Sequence, residues 1–427
     1  MGDPGFGPEG ETPVNVLHLN TFDIDGGAAR AAWRIHQGLL SLGTDSLMLV
    51  QTKTSGDASV MERDSLWARW LGQKRHLAEI PPLLPYRGRP ATHWATGWLP
   101  TGINRQITAL TPDIIHLHWI CRGFMSIPDI GRLTRPVVWT LHDSWAFTGG
   151  CHVPGSCLLY RSQCGQCPQL NSHRDNDLSR RIWSRKYRHW GQTPITVVAP
   201  SQWLADCARQ SSLFLERRIE VIPNGIDTGL YHPIPQPEAR AKLALPQDRK
   251  LVLISAMNAT RDRNKGFHFL QDALQHLAAS GWRDKLELLV VGQSTPKEPV
   301  NTGVPTRFLG VFPDEASMVQ VYSAADITVL PSLQENLPNA IMESMACGTP
   351  VVAFGVGGIP QLVEHGTTGY VARPEDSADL AAGLNSILAN PERQAGMGRK
   401  ARLKIEREFT SALTARRYQS LYEQLLR

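Results

Sequence analysis

The stretch from Asp326 to Gly358, DITVLPSLQENLPNAIMESMACGTPVVAFGVGG, decides the fold. It opens on a short apolar run, DITVLP, that reads as a buried strand. A polar loop follows, and then a helix with Pro338 in its first turn, where a missing N–H costs nothing. TPVVAFG is the next buried run. Strand, helix and strand in this order make a parallel crossover unit, and open parallel sheets bind ligands at the carboxyl ends of their strands. The helix terminus therefore faces a crevice, and its free N–H groups can cradle a diphosphate. Glu335 and Glu343 frame it, on the order of 10 Å apart by helix rise. Carboxylates beside a phosphate are unfavourable unless they face hydroxyls, so they suit sugar diols. A sugar on one side of a pyrophosphate and a ribose on the other is a nucleotide sugar. An acidic turn complementing the helix dipole is the other reading of Glu343.

Outward from this unit the same pattern recurs. VNVLHLN, DSLMLV, DIIHLHW, PVVWTLHD and ITVVAPS precede it, followed by KLVLISAM and LELLVVGQ, each separated by amphipathic stretches. The 427 residues are too many for one ordinary core. The Pro- and Gly-rich VIPNGIDTGLYHPIPQPEAR (221–240) marks the division. The expected organisation is a loose tail (1–12), an acceptor-side Rossmann-like lobe (13–225), a linker (226–248), a nucleotide-sugar Rossmann-like lobe (249–405), and a C-terminal helix (406–427) packing back on the first lobe. Only Trp282 of the 12 tryptophans follows the linker. Most tryptophans are expected to fill core and interdomain space. Trp67, Trp70, Trp94 and Trp98 lie in a basic, Pro-rich stretch (62–105) suited to an acceptor or a membrane.

No apolar run approaches the length of a membrane span. MGDPGFGPEGETP lacks the basic start and apolar core of a secretory signal, so a cytoplasmic protein is expected. A net charge of +5, with no concentration of Lys and Arg among aromatics, excludes a nucleic-acid groove and favours anionic small molecules or a membrane surface.

Three further segments carry chemistry. NATRDRNKGF places Arg261, Arg263, Lys265 and Gly266 in a loop after the first strand of the second lobe, where cations can face the diphosphate; a solvated basic loop is the alternative. FDIDGGAARAAWRIHQGL sets Gly26 and Gly27 between strand and helix, for close backbone approach from the opposite lobe. WTLHDSWAFTGG puts His142 and Asp143 at a strand end on the cleft edge, with helix capping as the alternative role of Asp143.

Together these residues resemble retaining glycosyltransferases of family four, with the GT-B fold of two doubly wound α/β domains facing across a cleft. The match covers most of the chain, and Glu335, seven residues, Glu343, then MACGTPVVAF and GGIPQLVEHGTTGYV carry it. The resemblance implies that Glu335 contacts the transferred sugar, with Asn336, Leu337 and Asn339 beside it, and that Glu343 holds the ribose. Lys265 would hold the diphosphate, Gly26 and Gly27 would approach it, and His142 would lie near the anomeric carbon. It also implies front-face substitution without a protein nucleophile or a catalytic metal. Two departures stand out. Ala259 occupies the place of the family's usual Arg, leaving Arg261 or Arg263 to substitute, and Asn336-Leu337-Pro338 replaces Gly-Phe-Gly. The loop from Phe308 to Phe312 is expected to face the base. HLHW, TLHDSWAFTGGCH and CGQCPQL look most like the subgroup assembling bacterial exopolysaccharides such as colanic acid, implying a lipid-linked oligosaccharide acceptor and peripheral contact with the inner face of the plasma membrane. A nucleotide-sugar epimerase of the same fold and a non-catalytic assembly subunit are the competing readings.

Cys151, Cys157, Cys164 and Cys167 are spaced C-x5-C-x6-C-x2-C, with His152 beside the first. In a cytoplasmic chain this spacing suits structural zinc better than disulfides. Buried free thiols, and a redox pair at Cys164 and Cys167, are the alternatives.

Overall fold

The computed structural model describes residues 14–64, 72, 74–90, 92–296, 299–312 and 314–427. The tail at 1–12, Trp67 and Trp70 lie outside the described residues. The nine apolar runs all form strands, and both sheets are parallel throughout. The first contains β1 (Asn15–Phe22), β2 (Asp45–Thr52), β3 (Val60–Glu62), β4 (Ile114–Leu117), β5 (Val137–Thr140), β6 (Ile195–Ala199) and β7 (Ile219–Val221), in the order β3-β2-β1-β4-β5-β6-β7. The second contains β8 (Lys250–Ser255), β9 (Leu286–Val291), β10 (Thr306–Gly310), β11 (Ile327–Leu330), β12 (Val351–Phe354) and β13 (Gly369–Ala372), in the order β10-β9-β8-β11-β12-β13. Strand order reverses between β1 and β4 and between β8 and β11, which opens a crevice at each point.

The segment between the sheets folds onto the second. Its helix Gln236–Lys242 lies against the helix Glu315–Ala324, and Arg240 donates to Asp326 at 2.7 Å. Two long helices close the chain, Pro391–Glu408 and Ser411–Leu426. The last one packs on the helix Gly27–Ser41 of the first sheet, after a bridge between Ile226 and Thr410. Pro338 stands one place earlier than its expected first-turn position. It is the N-cap of the helix Asn339–Ala346, with ψ 121, and its carbonyl accepts from the N–H groups of Ile341 and Met342. Trp94 is buried, with only an edge left to the cleft, and Trp98 is half-buried.

The first lobe carries histidines in its core. His18 Nδ1 and His118 Nε2 lie 2.9 Å apart, and His116 contacts Thr140 Oγ1 and Tyr422 OH at 2.7 Å each. His36 joins Ser46 and Ser59 at 2.7 and 2.8 Å. His18, His116 and His118 also bring ligand atoms within 4.8 Å of one another, but both ring nitrogens of His116 already have partners. Burial holds these three well below the ordinary imidazole range and His36 down to about 4. Unfolded histidines take up protons once the pH falls below about 6.5, while the buried ones resist, His36 until about 4, so their stabilisation is complete above that range and is lost on acidification. His36 alone costs about 3 kcal/mol by pH 4. Chemical denaturation is therefore expected to show stability dropping from about pH 7 to about pH 5, with a smaller drop in His36→Gln. A flat profile in the wild type would show that these groups are not buried in neutral form.

Candidate active site

The cleft lies between the carboxyl ends of the two sheets, and its residues come from four strand-to-helix junctions. After β1, Gly26 (φ 89) and Gly27 lead into the helix Gly27–Ser41. After β5 come His142 and Asp143, after β8 the loop carrying Lys265, and after β11 the loop carrying Glu335. Close backbone contact holds the last two loops together. Gly266 (φ 64) packs so tightly that a Cβ there would lie 1.8 Å from the Pro331 carbonyl oxygen, and from the loop after β12 a Cβ on Gly357 (φ 56) would lie 1.7 Å from that of Glu335. The Asn264 amide donates to the Gln334 carbonyl at 3.1 Å, and the Leu333 N–H donates to the Asn264 carbonyl at 2.8 Å.

This packing sets Lys265 Nζ 2.7 Å from Glu335 Oε1, and the carboxylate raises the lysine pKa against the effect of burial. Glu343 is nearly enclosed. It accepts from Arg34 Nη2 at 2.7 Å and from Tyr322 OH at 2.9 Å, and Arg34 also donates to Glu315 at 2.6 Å. Burial pushes the His142 pKa down to about 4, partly offset by Asp143, so the ring is neutral near pH 7. Its Nε2 lies 3.2 Å from His118 Nδ1, at the end of the histidine chain running in from His18. Asp143 accepts from Trp119 Nε1 at 2.7 Å and from the Trp145 N–H at 2.8 Å, and lies 2.6 Å from His152 Nδ1. Burial opposes its charge, but these partners together hold it below the usual carboxylate range. Asp143 thus caps the turn at Trp145 and also faces the cleft.

Two cavities occupy the cleft. One runs from Gly26, Gly27 and Arg30 across Lys265 and the start of the helix Asn339–Ala346 to Glu343, with Met257, Val311 and Phe312 on its wall. The other runs through Trp94, Trp119, Arg122, Asp143 and His152. His142, Lys265, Glu335 and Asn336 line both, so the two meet at that point.

Among the residues singled out from sequence, His142, Lys265, Glu335, Gly26, Gly27, Asn336, Leu337, Asn339 and Glu343 gather here. The side-chain amides of Asn336 and Asn339 engage the opposite lobe. Asn336 accepts from Ser201 at 2.7 Å and donates to the Leu141 carbonyl at 3.1 Å, while Asn339 donates to the Gly27 carbonyl at 3.0 Å. Arg261 and Arg263 do not line either cavity. Both are exposed, and Ala259 is packed into the core, so this loop offers the cleft Lys265 alone among its cations. The second cation facing the first cavity is Arg30, on the opposite lobe. Arg30 and Arg34, four apart on one helix face, were not picked out from sequence, although that spacing after a Gly-Gly turn was the available signal.

Fold and cleft together define a GT-B glycosyltransferase. Residues 25–230 match the family description Glycosyltransferase Family 4, and residues 248–390 match Glycosyl transferases group 1. The chain is 34% identical over 330 residues to a D-inositol 3-phosphate glycosyltransferase of Corynebacterium efficiens, spanning 73% of this chain and 71% of the relative. It is 23% identical over 364 residues to the putative colanic acid biosynthesis glycosyl transferase WcaC of Escherichia coli, spanning 80% and 83%. The structure of Anabaena Alr3699/HepE in complex with UDP-glucose superposes with a TM-score of 0.65 at 18% identity, covering 96% of this chain and 99% of that one. This chain belongs to glycosyltransferase family 4.

Proposed function

We propose that the chain transfers a hexose, with retention of configuration, from a nucleotide-diphosphate sugar to a carbohydrate acceptor, a lipid-linked oligosaccharide of bacterial exopolysaccharide or cell-surface polysaccharide synthesis. The observation that carries this is the meeting of two cavities at His142, Lys265, Glu335 and Asn336. A transferase needs a donor pocket and an acceptor pocket that share the reacting atom, whereas an epimerase needs only the first. The likeness to WcaC, and the UDP-glucose held by Alr3699/HepE, favour this acceptor class and a nucleotide-sugar donor.

In this reading the diphosphate lies against the Gly26–Gly27 backbone and the start of the helix Asn339–Ala346, between Lys265 and Arg30. Arg30 supplies the charge that Ala259 does not. The base lies by Val311, Phe312 and Met257. The ribose hydroxyls donate to lone pairs that Glu343 retains after Arg34 and Tyr322. Glu335 and neutral His142 hydrogen-bond the sugar. As the anomeric carbon–phosphate oxygen bond breaks, the acceptor oxygen forms its bond on the same face and passes its proton to the departing diphosphate. Lys265, released from its pairing with Glu335, stabilises the charge that develops there. Lobe closure keeps water out, and no metal or other cofactor is required for the chemistry.

With a panel of UDP-, GDP- and dTDP-sugars, one nucleotide should be released together with transferred or free sugar. Glu335→Gln should lower the rate about 100-fold without altering the melting temperature, and Arg30→Ala should raise the donor KM about tenfold. Failure of every donor to bind, or a fully active Glu335→Gln, would overturn the assignment. Leu77, Ile80 and Leu84 are exposed along one short stretch, and Arg87 is exposed just after it, which supports peripheral contact with an anionic membrane surface, and no helix among the described residues is long and apolar enough to cross one. Co-sedimentation with phosphatidylglycerol vesicles should be lost in Ile80→Asp/Leu84→Asp. Equal recovery of the wild type with and without vesicles would contradict membrane contact.

A further inference from the structure

The chain between β5 and the helix Leu178–Trp190 contains only three short 3-10 turns, at Trp145–Phe147, Leu159–Arg161 and Pro168–Leu170. A connection this long, with so little regular structure of its own, needs something to hold it. Hydrophobic packing is a partial answer, because Cys151, Tyr160, Cys167 and Leu170 are buried. The more specific answer lies in the cysteines. All four line one small, largely apolar cavity, and all seven of the chain's cysteines are free of disulfides.

We propose that Cys151, Cys157, Cys164 and Cys167 bind one structural zinc ion that fixes this loop as a wall of the second cavity. Several features fit a thiolate-metal turn. Cys164, Gly165 and Gln166 all have positive φ, at 56, 96 and 45. That is a costly run for two residues with side chains, and it curls the chain so that Cys164 and Cys167 face the same cavity. A Cβ on Gly165 would lie 2.4 Å from the Asp175 carbonyl oxygen, so the turn is also closed from behind. Lys186 is wholly buried nearby, with its Nζ on the carbonyls of Trp145 and Thr148. It also lies over the Trp145 ring, 3.8 Å from its centroid, and four thiolates around one divalent ion would place a net charge of minus two near it.

His152 is left out of the ligand set because it lines the second cavity, with its Nδ1 on Asp143, and not the cavity that the four cysteines share. The site is not closed as it stands. Among the described residues no three of these sulfurs lie within 4.8 Å of one another, whereas tetrahedral ligation at about 2.3 Å brings sulfurs to just under 4 Å. Binding therefore draws the four sulfurs together, and the half-buried Cys157 stands in a turn that contains exposed Gly155 with φ 60. Cys151 is bridged to Trp94, and the next residue is His152, so the ion anchors two lining residues of the second cavity without touching the reacting atoms.

The test is metal analysis of the full-length chain purified without chelator, which reads metal content and so stands apart from transfer activity. One zinc per chain is expected. Cobalt substitution should give the intense visible bands of a tetrahedral tetrathiolate, and Cys164→Ser/Cys167→Ser should retain less than about one tenth of the metal. Wild-type protein without zinc and with all seven thiols free to react, a disulfide within the four, or a cobalt spectrum showing nitrogen ligation would each overturn the proposal. These readings on the wild type remain decisive even where a variant does not fold.

Discussion

The cleft depends on one buried cation that crosses it. Arg34 leaves the helix Gly27–Ser41 of the first lobe and ends between Glu343 and Glu315 of the second, with the Tyr231 hydroxyl 3.3 Å away. Burial works against its charge, but Glu343, Tyr231 and Glu315 outweigh burial and hold the guanidinium charged. An isolated charge at such depth costs several kcal/mol, and two carboxylates facing each other without it would repel. In the closed cleft the lobes therefore take the orientation that satisfies all three groups. Because Arg34 lies two turns into the helix that begins at Gly27, the same contact sets the Gly26–Gly27 turn against Asn339, and it brings His142 opposite Lys265 and Glu335.

Around that fixed point the remaining contacts between lobes are small and polar. Ser201 meets Asn336, the Gln202 N–H meets Gln361 at 2.7 Å, and the Gly155 N–H meets Gln334 at 2.9 Å. Interfaces of this kind open readily, which gives substrates a way in while the buried ion pair sets the closed geometry. Within the closed cleft the charges are balanced in advance: Lys265 is paired, Asp143 is held ionised by its donors, and His142 is neutral at the end of a buried histidine chain. A diphosphate entering this site exchanges one partner of Lys265 for another, so little reorganisation remains for the transfer step.

The parts of the fold that were legible in sequence are the parts buried on both faces. The nine strands readable as continuous apolar runs are the interior strands of the two sheets. The four that were not, β3, β7, β10 and β13, are the sheet edges, where residues such as Ile219–Val221 and Arg307 are partly or fully exposed and the apolar run breaks up. The same logic divides the site. Glu335, Lys265, His142 and Gly26 sit at strand-to-helix junctions, and a junction's position can be read from the pattern around it. Arg30 and Arg34 sit on a helix whose sequence shows which residues share a face but not which partner that face meets. Arg261 and Arg263 failed for the converse reason, because a basic loop declares its charge but not the direction of its side chains.

The central claim is that the reacting centre lies where the two cavities meet. A crystal structure with an intact nucleotide-sugar donor tests it most directly. The account predicts the anomeric carbon beside His142 and Glu335, with the diphosphate on Lys265 and the Gly26–Gly27 backbone and the second cavity open to an acceptor. A donor bound elsewhere, or one whose sugar points away from that junction, would contradict it.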